Sequence, residues 1–251
     1  MKYTVIFILI IAFAMCSLCY NSYSYRRSKV YISLTTIPER LIDPWFYKNL
    51  KHIMNLKGKY TVVLNIPYTF KRTGEDYIIP DNILKLEKKN LIIHRIDEDY
   101  GPLTKLYGAL LCKDIPDNAA LLICDDDIVY KSKFVTTIYN QYKKDNTKIY
   151  TYCNKKIEGY LGYMVNKRRI SPILDIKRPS SCFRIDDDFI ENSVDMLNIE
   201  KEIVLYDNNN DWTCAFDKSK TDTHPPWYVL VKDNREPMVE ECKRDMKELN
   251  K

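Results

Sequence analysis

Residues 120–130 read ALLICDDDIVY, a short apolar run that stops on three consecutive carboxylates, Asp125, Asp126 and Asp127. Adjacent aspartates repel one another unless water or a cation neutralises them. All-oxygen donors suit Mg2+ or Mn2+. Magnesium in particular takes one or two protein carboxylates and fills its shell with substrate phosphates and water. In an extended segment Asp125 and Asp127 point the same way, so that pair is a candidate metal site. The plain alternative is a solvated turn after a strand. A second acidic group, Asp186, Asp187 and Asp188, lies in the string CFRIDDDFI. Its plain alternative is the start of a helix, where carboxylates favour the helix dipole.

The elements that must position these groups are legible as alternating patterns. Residues 29–36, 60–66, 91–96 and 120–124 are apolar, β-branched runs of strand length. Between them, residues 40–54, 102–113 and 132–144 have helical spacing. Such alternation predicts an α/β domain built on a mostly parallel sheet with helices on both faces. In open α/β sheets ligands bind beyond the carboxyl ends of the strands. Thr35 and Thr36 end the first strand and Asp125–Asp127 follow another, so both groups fall where a ligand is expected.

The 251 residues suit one domain over residues 29–251, preceded by an apolar segment within residues 1–20 and a short polar stem, 21–28. The apolar run of residues 4–18 is shorter than the ~20 residues that span a bilayer, and reaches the ~17-residue minimum only with Cys19 and Tyr20. An uncleaved signal anchor is the expectation, with a cleaved signal peptide as the alternative. This predicts a single-pass membrane protein facing the ER/Golgi lumen, or else a secreted protein. Arg26, Arg27 and Lys29 oppose that orientation by the positive-inside rule, but long domains translocate largely regardless of charge. Six cysteines lie beyond the segment (Cys112, Cys124, Cys153, Cys182, Cys214 and Cys242), an even number that fits an oxidising lumen while leaving the pairing open. The net charge of +5 is mild and well mixed, with no basic stripe interleaved with aromatics, so no nucleic-acid partner is expected.

The segments ISLTTIPERL (32–41), DEDYGPLTKLYGAL (97–110), ICDDDIVY (123–130), IEGYLGYMV (157–165) and CFRIDDDFI (182–190) occur in this order. Together they resemble the GT-A glycosyltransferases. The nearest likeness is to viral, algal and protist glycosyltransferase-like proteins, and a more distant one is to the β-1,3-galactosyltransferases. The resemblance covers residues 29–198. It implies a GT-A (Rossmann-like) fold, a nucleotide-sugar donor, Mn2+ or Mg2+ as cofactor, and a hydroxyl acceptor on a glycan, protein or lipid. Carried over by position, it implies that Thr35, Thr36, Arg40, Asp99, Lys105 and Asp126 contact the donor. Asp125 and Asp127 would hold the metal, with His224 as a late additional ligand. Glu158 and Gly159 would face the sugar or acceptor. Asp187, preceded by Asp186, would occupy the place of the catalytic carboxylate. Asp188 and Phe189 depart from the family's Val and Trp. At a helix start, Asp187 is expected to stay ionised, as a general base requires.

The expected activity is therefore a metal-dependent, inverting sugar transfer from a nucleotide-sugar, a UDP-sugar by the resemblance. Two other classes remain open on the sequence. One is a membrane-anchored surface protein that keeps the fold without turnover. The other is a haloacid-dehalogenase-like phosphohydrolase, whose D-x-D-x-V pattern Asp125, Asp127 and Val129 satisfy, with Asp125 as nucleophile. That motif belongs on a first strand, whereas about 90 residues of α/β pattern precede it here.

Overall fold

A computed structural model describes residues 29–87, 90–152, 156–205 and 235–250. The apolar N-terminal segment, the stem, Cys153, Cys214 and His224 lie outside the described residues. Among the described residues no helix is long and apolar enough to cross a membrane.

The chain runs β1 (Val30–Leu34), α1 (Pro38–Leu41), α2 (Pro44–Met54), β2 (Thr61–Pro67), α3 (Asp81–Leu84) and β3 (Leu91–Ile96). A 3-10 turn (Gly101–Leu103) leads into α4 (Thr104–Leu111), then β4 (Ala120–Ile123), α5 (Phe134–Tyr142), β5 (Ile149–Thr151) and β6 (Tyr163–Asn166). After α6 (Lys167–Ile170), two 3-10 turns (Ser171–Asp175 and Ser180–Arg184) precede α7 (Asp186–Met196) and β7 (Lys201–Ile203). The last described element is α8 (Arg235–Leu249).

The strands form one sheet in the order β3-β2-β1-β4-β6-β5-β7. β3, β2, β1 and β4 pair in parallel, while β6 runs antiparallel to both β4 and β5. The expected mostly parallel sheet is present. Side chains alternate cleanly across it. Val30, Ile32, Leu34, Val62, Leu64 and Leu122 face the cluster shared with α2 and α5. Tyr31, Val63, Leu121 and Ile123 face the cluster shared with α4, α7 and α8. Both faces are covered, which is why the strands read as near-continuous apolar runs.

One expected helix, over residues 40–54, is instead two. Pro44 has no N–H and suits the first position of a helix. Asp43 stays extended and its carboxylate accepts from Trp45 N at 2.7 Å, so a new helix starts there.

Two polar residues inside the sheet fix α4. Asn65 Nδ2 donates to Ser33 Oγ at 2.7 Å and to Leu34 O at 3.1 Å, and Ser33 Oγ donates to Lys105 O. Gly108 permits the approach, since a Cβ there would lie 2.4 Å from the Asn65 side chain. On the same face α8 is bonded to the turn ahead of α7 through a Cys182–Cys242 disulfide, while Cys112 and Cys124 are free and buried. Ser181 Oγ adds a hydrogen bond to Asp245 Oδ2 at 2.7 Å.

Candidate active site

The chain lays β2 and β3 on one side of β1, then crosses to place β4 on the other. That reversal opens a crevice beyond the carboxyl ends of β1 and β4, the place where open α/β sheets bind ligands. Thr36 and Asp126 close its floor: Thr36 Oγ1 donates to Asp126 Oδ2 at 2.5 Å. Arg40, from α1, straddles the next two carboxylates. Its Nη1 lies 2.9 Å from Asp126 Oδ1 and its Nη2 3.0 Å from Asp127 Oδ2. Thr35 turns away, donating to Asn65 O at 2.9 Å.

Lys105, in the first turn of α4, joins the two acidic groups that the sequence separates. Its Nζ lies 2.7 Å from Asp125 Oδ1 and 2.8 Å from Asp186 Oδ2, and the residue is 4% exposed. Gly159 covers this pair. A Cβ there would come within 2.5 Å of Lys105 Nζ and 2.8 Å of Asp125 Oδ1, so glycine is required by close approach. Gly159 N also donates to Asp187 Oδ1 at 3.0 Å. Glu158 sits beside it, half-buried, 3.9 Å from Lys156 Nζ. Asp188 points to the same lysine, also at 3.9 Å.

Asp99 is buried and spends its carboxylate on backbone: Oδ2 accepts from Lys71 N at 2.9 Å and Oδ1 from Gly101 N at 2.7 Å. It shapes the loops round the crevice. Thus Thr36, Arg40, Asp125–Asp127, Lys105, Glu158, Gly159, Asp186 and Asp187 are gathered in one crevice. Thr35 and Asp99 lie at its border, engaged with the main chain.

Two supporting residues had no place in the sequence reading. Asn49, on the buried face of α2, donates through Nδ2 to Asp126 O at 2.7 Å and to Ile128 O at 3.0 Å. The Tyr130 hydroxyl accepts from Asp125 N at 3.1 Å and donates to Tyr160 O at 3.2 Å. Together they fix the backbone of the acidic loop. The signal for Asn49 was an amide among Phe46, Leu50 and Ile53, at a helical position otherwise apolar.

Five carboxylates (Asp125, Asp126, Asp127, Asp186 and Asp187) face the cations of Lys105 and Arg40. The consequence is visible in their acidities. Burial raises Asp126, with Arg40 and Thr36 opposing it. Burial and then the neighbouring Asp126 and Asp125 push Asp127 up to about 7. Burial pulls Lys105 down, but Asp125, Asp186 and Asp187 outweigh it, so the lysine stays charged. Asp187 corrects an expectation. It does start a helix, but burial and the adjacent Asp186 hold it well above the usual carboxylate range. Desolvation and a like charge at contact exceed the dipole's worth of about 0.3–1 kcal/mol. Nor does any side chain cap α7, whose N-cap is Ile185.

Among the described residues no three His, Cys, Asp or Glu side chains form a metal cage. The donor set nevertheless fits an ion completed by substrate. Asp125 and Asp127 each keep one carboxylate oxygen outside their ion pairs with Lys105 and Arg40, and the crevice carries surplus negative charge.

No protein-family model matches the sequence, and no curated protein matches it. Solved structures do. A mannosyltransferase from Pyrobaculum calidifontis, in complex with GDP-Man and Mn2+, is 14% identical with a TM-score of 0.51, covering 72% of this chain and 55% of that one. A 4-diphosphocytidyl-2C-methyl-D-erythritol synthase is 8% identical with a TM-score of 0.51, covering 82% of this chain and 97% of that one. The fold is GT-A-like. At these identities the likeness speaks for the fold alone, and the chain spans little over half of the mannosyltransferase.

Proposed function

We propose that the crevice is the active site of a glycosyltransferase that moves a sugar from a nucleotide-sugar to a hydroxyl acceptor, with inversion. The observation that carries this reading is the convergence of two acidic groups on Lys105 at the crossover of a GT-A-like sheet. A nucleotide-sugar presents two demands, a charged leaving group and an anomeric carbon to be attacked from the opposite face. Two distinct carboxylate groups on separate elements meet them.

In this reading Asp125 and Asp127 hold Mn2+ or Mg2+, which when bound supplies positive charge against the departing diphosphate. Arg40 and Thr36 keep Asp126 and Asp127 in place. Lys105 aligns the β4 end with the start of α7 through two carboxylates, and the third N–H of its ammonium is left for the donor. Asp187 accepts the proton of the acceptor hydroxyl. In this reading the base works ionised, with Lys105 opposing the burial and the Asp186 charge that raise its proton affinity. Glu158 and Gly159, next to Asp187, border the sugar or acceptor. The mannosyltransferase neighbour, solved with GDP-Man and Mn2+, supports a nucleotide-sugar and a divalent ion in general. A UDP-sugar, a membrane anchor at residues 1–20, a lumenal location and His224 as a further ligand belong to this proposal as well.

The test is a panel of nucleotide-sugars offered to the purified protein with Mn2+, followed by the anomeric configuration of any product. Asp187→Asn is expected to bind donor normally and lose about 10²–10⁴-fold in turnover. A retained configuration, or normal rates in that variant with loss in Asp186→Asn or Asp188→Asn instead, overturns the assignment.

A further inference from the structure

The floor of the crevice is acidic, yet one border of it is not. Arg72 lies in the loop after β2, and Arg184 closes the turn two residues ahead of Asp186. The loop carrying Arg72 returns through Tyr77, whose hydroxyl donates to Thr36 O at 3.1 Å, so it borders the β1 side of the crevice. Its other end meets the Arg184 turn. Lys71 N is held by Asp99 at 2.9 Å, and Lys71 Nζ stands 5.4 Å from the centre of the Phe183 ring. The turn in its place is packed on Gly101, where a Cβ would lie 2.8 Å from Phe183 O.

Arg72 and Arg184 are both exposed. Neither guanidinium has a carboxylate partner among the described residues. The contact of Lys71 with Phe183 falls one residue ahead of each arginine, and the Arg72 guanidinium stands 5.5 Å from the centre of the Phe70 ring. Asp99, which favours the Arg72 charge, has both oxygens committed to main-chain N–H groups and organises the loops. Two arginines from segments more than a hundred residues apart thus follow directly on one packed contact, with Asp99 and Glu39 as the acidic groups that favour the Arg72 charge. A planar guanidinium pair matches the oxygens of a phosphate or carboxylate in bidentate fashion.

We propose that Arg72 and Arg184 form an anion subsite at the border of the crevice, which takes a phosphate or a similar oxyanion of a substrate without a metal. The anion has two possible sources, the diphosphate of the donor or an acidic group on the acceptor. This deepens the glycosyltransferase reading, but binding at the pair is measurable without turnover.

The experiment titrates inorganic pyrophosphate into the full chain in EDTA, by calorimetry, for wild type, Arg72→Ala, Arg184→Ala and the double variant. Arg168→Ala, an exposed arginine on α6, is the control. Saturable binding is expected, about tenfold or more weaker in each single variant and unchanged in the control. Absence of saturable binding in the wild type, or equal binding in the double variant, overturns the proposal. Repeating the titration with UDP and GDP, and with a phosphorylated monosaccharide, separates the sources: the ligand class whose affinity falls in the double variant is the one held. Pyrophosphate binding that is intact in a wild type that never binds any nucleotide-sugar with Mn2+ would refute the glycosyltransferase reading and leave the subsite standing.

Discussion

Lys105→Met removes the cation between Asp125 and Asp186 while keeping the length of the side chain. The lysine is 4% exposed and makes contacts at 2.7 and 2.8 Å, so this is a buried network. Deleting one partner of such a network leaves carboxylates without compensation and costs about 3–5 kcal/mol. For a domain of this size, each kcal/mol moves Tm by about 2–4 °C, so a fall of roughly 6–20 °C is expected. The loss depends on pH in a definite sense. Asp187 is already held well above its ordinary value with Lys105 present, by burial and Asp186. Without the lysine it rises further. A carboxylate raised in the folded state favours folding below its unfolded pKa, and that contribution is lost as pH rises through the folded one. The variant should therefore lie closest to wild type near pH 5 and fall furthest behind at pH 8. Thermal melts at both pH values, in EDTA, measure this. Adding Asp186→Asn should recover part of the loss at pH 8. A deficit under about 1 kcal/mol, the scale of an exposed ion pair, or one equal at both pH values, would refute the buried-network account.

Asp127 is raised to about 7, so its contribution to metal-free stability is present at low pH and lost as pH climbs through 7. Asp127→Asn should then melt above wild type at pH 8 in EDTA and alongside it near pH 4.5, and it should abolish Mn2+-dependent nucleotide-sugar binding in calorimetry. Gly159→Ala drives a methyl against Lys105 and Asp125 and is expected to cut turnover by at least tenfold and lower Tm, with Gly162→Ala as a comparison, strained by its φ of +78° but aimed at Phe134 rather than the ion pair. Cys242→Ser opens a cross-link spanning 60 residues, for which chain entropy gives about 4 kcal/mol; denaturant unfolding should show a loss of that order, reproduced in wild type by dithiothreitol.

Local patterns determined the frame. β1, β2, β3 and β4 were legible because a buried parallel strand is a run of apolar, β-branched residues, and that signal needs no knowledge of its neighbours. The ending of β4 on Asp125–Asp127 was legible for the same reason. β5 and β7, three residues each, and β6, four, are too short to carry a period and exist through their pairing. Pro44 was visible, but whether it bends a helix or begins another depended on Asp43 reaching Trp45 N. The assembly of the site was decided in space. Nothing in the spacing of residues 105, 125 and 186 says that one lysine joins both carboxylates, nor that Arg40 grips Asp126 and Asp127. Sequence left 15 pairings for the six cysteines, and only the packing of α8 on the turn before α7 selected Cys182–Cys242. The proton affinity of Asp187 went the opposite way from its position at a helix start. The dipole is a local property that sequence reveals, whereas desolvation and the charge of neighbours belong to the folded interior alone.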